Sequence, residues 1–134
     1  MTTINLLPIT REYKNNGQHA EQVFRFTLTG ELAKADNLRH DLCADCLDIQ
    51  IKSARATVCK GTDLDAYLAL DAATRYAYVT ADFTKAYVMD RAEWKAFASR
   101  FGTVTKESAK NGGSEKIRLG HETNDMREWL TARA

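Results

Sequence analysis

The sequence predicts an α/β (α+β) domain in which helices flank a mixed central β-sheet. Three observations point there. A run of apolar residues at helical spacing is followed by strict two-residue alternation. Two more short strand-like runs follow, rich in β-branched and aromatic residues. Helical segments with capping signals close the chain.

The first helix is read over Gly17–Leu28 (GQHAEQVFRFTL), where Ala20, Val23, Phe24 and Leu28 recur near helical spacing. Asn15 or Asn16 is its N-cap, and Gly30 ends it. A polar connector runs from Glu31 to Arg39. From Leu47 to Lys52, Leu47, Ile49 and Ile51 alternate with Asp48, Gln50 and Lys52, the pattern of a strand. Just before it, Leu42 and Ala44 alternate with Asp41, Cys43 and Asp45, and Asp45-Cys46 suits a tight turn. The expectation is an antiparallel hairpin with its polar residues on one side. Thr62–Ala73 reads as a short helix or loop. Tyr76–Ala81 and Lys85–Met89 read as two strands joined by a turn around Asp82. Asp90 caps a helix through Phe101, with Glu93 placed for a capping box. Asn111-Gly112-Gly113 signals a turn, Lys116–Leu119 reads as a strand, and Asn124 or Asp125 caps a last helix, MREWLTAR.

With 134 residues and 44% hydrophobic content, the chain suits one domain over 1–134. It has no internal repeat, no low-complexity tract and no Pro/Ser linker; its one proline is Pro8. The 19 basic and 18 acidic residues leave a net charge of +1, which excludes a histone-type polycation but not a binder with locally clustered charge. No apolar run is long enough to span a membrane, and the N-terminus lacks the basic and apolar regions of a signal peptide. The odd count of 3 cysteines argues against a secreted disulfide framework. A cytoplasmic protein with no membrane partner is expected.

Asp48, Gln50 and Lys52 fall on one face of one strand, with Ile49 and Ile51 on the other. Three successive polar positions are costly to bury unpartnered, so this face is either solvated or a site. Asp41 lies on the facing strand, and Glu21 lies on the preceding helix. If that helix packs beside the hairpin, Glu21, Asp41 and the Gln50 carbonyl oxygen can converge on one divalent cation. Such oxygen donors suit Mg²⁺ or Mn²⁺. Lys52 would then face the attacking water or a scissile phosphate and balance charge developing there.

The stretch Asp41–Lys52 (DLCADCLDIQIK) resembles the signature of the PD-(D/E)XK, or restriction-endonuclease-like, nuclease superfamily. There, an Asp on one hairpin strand is followed by an acidic residue, any residue and Lys on the next. The resemblance implies catalytic roles for Asp41, Gln50 and Lys52, metal ligation by Glu21, Asp41 and Gln50, and a restriction-endonuclease-like core. It implies hydrolysis of phosphodiester bonds, in DNA before RNA, with Mg²⁺ or Mn²⁺ as cofactor and a homodimer as an expected assembly. His40 stands where that signature has Pro, and Gln50 stands where Glu or Asp is usual. Asp36, Asp45 and Asp48 are rivals or helpers for Asp41.

Ser53 and Arg55 follow the motif as phosphate-facing residues, and Lys110, Asn111, Lys116 and Arg118 surround a glycine turn suited to a nucleic-acid backbone. Two other readings are weighed against the nuclease. One is a catalytically inactive nucleic-acid-binding or interaction module on the same fold. The other is a zinc site from His40, Cys43, Cys46 and Cys59; free buried thiols are the simpler account. Trp94 and Trp129, at helical spacing beside Phe97, Phe101 and Leu130, are read as core residues. His19 and His121 have no evident partner in the sequence.

Overall fold

The computed structural model describes residues 1–32, 42–44, 47–53, 57–60, 75–106 and 115–134. In chain order these form β1 (Thr2–Asn5), α1 (Asn16–Thr29), β2 (Leu42–Ala44), β3 (Leu47–Ser53), β4 (Thr57–Lys60), β5 (Arg75–Val79), β6 (Lys85–Met89), α2 (Arg91–Phe101), β7 (Thr103–Lys106), β8 (Glu115–Arg118) and α3 (Asn124–Arg133). The class is mixed α/β. A five-stranded sheet runs in the order β1-β6-β5-β3-β2, and a three-stranded sheet runs β4-β8-β7.

Local chemistry sets the helix ends. Asn15 caps α1, its side chain accepting from the Gln18 N–H at 3.2 Å. Gly30 ends α1 with φ 74°, a left-handed conformation open to glycine, and its N–H reaches the Phe26 carbonyl at 2.8 Å. Asp90 and Glu93 form the expected capping box at α2: Asp90 accepts from the Glu93 N–H at 2.8 Å, and Glu93 accepts from the Asp90 N–H at 3.1 Å. The last helix differs by one position. Its N-cap is Thr123, whose hydroxyl accepts from the Met126 N–H at 3.2 Å, so Asn124 lies inside the helix.

In the larger sheet β2 and β3 pair antiparallel, as the alternation of Leu42–Lys52 predicts, with Leu42 opposite Ile49 and Cys43 opposite Asp48. β3 pairs parallel with β5, β5 antiparallel with β6, and β6 antiparallel with β1, so the sheet is mixed. A parallel neighbour requires the chain to cross back between β3 and β5. β4 lies in that return and joins the second sheet.

The two faces of β5 meet different helices. Tyr76 and Tyr78, with Tyr87 and Met89 of β6, pack against Trp94, Phe97 and Ala98 of α2 and Met126 and Leu130 of α3. Tyr76 stacks on Trp94 with centroids 5.2 Å apart and an interplanar angle of 3°. On the other face Ala77, Val79 and Ala86 pack against Ala20, Val23 and Phe24 of α1. Small residues of β5 thus face α1, and its aromatic ones face α2 and α3.

One expectation changes. The single central sheet is accompanied by a second sheet, and β1 was not foreseen at all. The segments Thr62–Ala73 and Asn111–Gly113 lie outside the described residues.

Two stability measurements check this account. Trp94→Ala should destabilise the protein by about 3–5 kcal/mol in denaturant unfolding, because it empties the layer between Tyr76 and Phe97. Asp90→Ala should cost about 1 kcal/mol, the usual loss of a cap.

Candidate functional site

The polar residues of β3 take their surroundings from register. Gln50 pairs with Tyr76 and Lys52 with Tyr78, while Ile51 pairs with Ala77 and Ser53 with Val79. Register partners in a sheet share a face. Asp48, Gln50 and Lys52 therefore lie on the Tyr76–Tyr78 face, on the side of α2 and α3. Ile49, Ile51 and Ser53 lie on the face that α1 covers.

This placement separates residues that the sequence suggested would meet. Glu21 is on α1, half-buried and engaged in an interaction of its own, and α1 covers the Ile49–Ile51 face. The structure does not bring Glu21 to the face of Gln50 and Lys52. By register Ile51 stands opposite Ala77, which belongs to the core that Val23 and Phe24 of α1 help to build. Ser53 likewise falls on the α1 face. Asp36, Asp41, Asp45, Arg55, Lys110 and Asn111 lie outside the described residues. Lys116 and Arg118 lie on β8, in the second sheet. Cys43 and Cys59 sit on strands of different sheets, and His40 and Cys46 are outside the described residues.

A carboxylate that the sequence reading passed over lies on the Lys52 face. Glu122, whose side chain is 5% exposed, accepts from the Tyr78 hydroxyl at 2.9 Å and the Ala81 N–H at 3.2 Å. Its other oxygen accepts from Arg127 Nε at 3.1 Å. Burial pushes the Tyr78 phenol far above its ordinary value, and the Glu122 charge and hydrogen bond push it further, against a smaller opposing pull from Arg127. Next to Glu122 opens a cleft of about 230 Å³, lined by Thr80, Asp82, Lys85, Tyr87, Arg127 and their neighbours. It lies beyond the carboxyl end of β5, at the turn into β6. Asp82 is fastened there by Thr84, whose hydroxyl donates at 2.7 Å, and by the Thr80 hydroxyl at 2.8 Å; these bonds hold its carboxyl below the ordinary range.

Among the described residues no group of three or more His, Cys, Asp or Glu side chains is gathered as a metal cage. No protein-family model, curated protein or solved structure matches this chain.

The Tyr78–Glu122 bond has a pH signature. Tyr78 stays protonated in the fold well above the pH at which an unfolded tyrosine, with a value near 10, ionises. Its contribution is therefore complete below about pH 10 and falls as pH rises further. Denaturant unfolding from about pH 9 to about pH 11 should show a decline that is shallower in Tyr78→Phe. Glu122→Gln should lower stability by about 1–3 kcal/mol at neutral pH, since it weakens the partner of a buried hydroxyl and of Arg127.

Proposed function

We propose that this protein is a metal-dependent nuclease that hydrolyses phosphodiester bonds, DNA before RNA. The observation that carries the reading is the β2–β3 hairpin, with Gln50 and Lys52 on one face of an interior strand. The resemblance of DLCADCLDIQIK to the PD-(D/E)XK signature supports the same reading. By register these polar positions share a face with the buried Tyr76 and Tyr78, where polar groups are costly to bury without partners.

In this reading Gln50 and Asp48, together with Asp41, would hold one Mg²⁺ or Mn²⁺ through oxygen atoms. When bound, the ion would polarise the phosphate and lower the pKa of a coordinated water. Lys52 supplies a cation beside the scissile group. Water attacks phosphorus in line and gives up a proton to solvent, the P–O bond to the leaving sugar oxygen breaks, and that oxygen takes up a proton from solvent. Lys52 offsets the charge that builds on the phosphoryl oxygens during this exchange. Glu21 stands apart, so the ligand set leans on the hairpin. Gln50 contributes no charge, and Asp48 on the same face supplies one.

The position of Glu21 also favours a second reading, an inactive nucleic-acid-binding module. Plasmid nicking separates the two. With Mg²⁺ or Mn²⁺ the native protein should nick supercoiled DNA, and EDTA should stop it. Lys52→Ala should lower the rate by about 10²–10⁴-fold, the span of a lost acid–base or charge-stabilising group. No cleavage of DNA or RNA with either metal, by folded protein that still binds nucleic acid, would leave the binding module.

A further inference from the structure

The three-stranded sheet sorts its residues by chemistry. Lys116 of β8 pairs with Lys60 of β4 on one side and Thr105 of β7 on the other. Arg118 pairs with Thr57 and with Thr103. Register partners share a face, so Lys60, Lys116, Arg118 and the three threonines occupy one face. The described register positions put no acidic residue there. Ile117, Val104 and Cys59 occupy the other face, and Glu115 sits there opposite Lys106.

The apolar face leads into the protein. Leu119, two positions beyond Ile117, is 4% exposed and packs in the core with Met126 and Leu130. The basic face looks outward at Thr103 and Arg118, both exposed. Lys60 and Lys116 stand at paired register positions, with Arg118 on the same face next along β8. The face thus gathers three basic residues, and an anionic partner complements it.

We propose that this basic face of the β4-β8-β7 sheet is a docking surface for the phosphodiester backbone of a nucleic acid. The inference rests on the nucleic-acid reading of the protein and deepens it by naming the surface that holds the substrate away from Lys52. Cations on neighbouring strands and at alternate positions along a strand stand about 5–7 Å apart. A nucleic-acid strand presents a phosphate about every 3.4 Å of its axis, so the three cations meet two or three neighbouring phosphates. Contacts of this kind position a substrate without reading its sequence.

Fluorescence anisotropy with a labelled DNA duplex, in Ca²⁺ in place of Mg²⁺, tests this. The K60Q/K116Q double variant should bind about 10- to 50-fold more weakly at about 0.1 M salt, with the salt slope reduced by about 2. K106Q, on the opposite face, should bind within about twofold of the native protein, since it meets no phosphate. The melting temperature of the double variant should stay close to the native one, whereas a purely structural role would lower it. Native-like binding and slope in the double variant overturn the proposal, and so does failure of the native protein to bind DNA or RNA. If binding depends on Lys60 and Lys116 but the native protein nicks nothing with either metal, the docking face stands and the nuclease reading falls.

Discussion

Tyr76, Ala77, Tyr78 and Val79 of β5 are all 0% exposed, so this strand loses solvent on both of its faces. A doubly buried strand must find apolar partners above and below, and the alternation of large and small residues decides which partner goes where. Val23 and Phe24 share a core with Ala77 and Val79, and the rings of Trp94 and Phe97 meet the tyrosines on the reverse. β3 is parallel to β5 and inherits its two environments. Whether a residue of β3 belongs to the α1 side or to the α2–α3 side follows from its partner on β5.

The tyrosine face buries polar atoms along with its rings. Tyr78 resolves this through Glu122, which Arg127 in turn balances from the first part of α3. That arrangement ties the segment before α3 to the end of β5 and shapes the adjacent cleft. The indole Nε1 of Trp94, by contrast, is buried with no hydrogen-bond partner among the described residues. Its desolvation is offset by the stacking and apolar burial of the ring on Tyr76. The second core, under α1, uses smaller side chains and borrows Leu6 from the segment after β1.

The candidate site was legible in part. The alternation Leu47–Lys52 was enough to put Gln50 and Lys52 on one strand face, because side-chain period in a strand is two whatever its neighbours. It could not say which helix covers that face, and Glu21 was expected where α1 does not go. Glu122 gave no local signal: it meets Tyr78 from 44 positions along the chain. The basic face of the small sheet was half visible as Lys116 and Arg118 near a glycine turn. Its third cation, Lys60, joins them only through the β4–β8 pairing.

By itself the sequence determined the features whose causes are local. These are the Asn15 cap and Gly30 stop of α1, the β2–β3 hairpin, the Asp90–Glu93 capping box, and the strands around Asp82. Each depends on residues within one turn or one hairpin of each other. Tertiary structure alone decided the rest: the edge position of β1, the separate three-stranded sheet, the opposite placement of Glu21 and Lys52, and the burial of Glu122. Those outcomes depend on pairings between segments far apart in the chain, such as Thr57 with Arg118. Periodicity assigns a residue to a face of its own element, but only packing assigns that face to a neighbour.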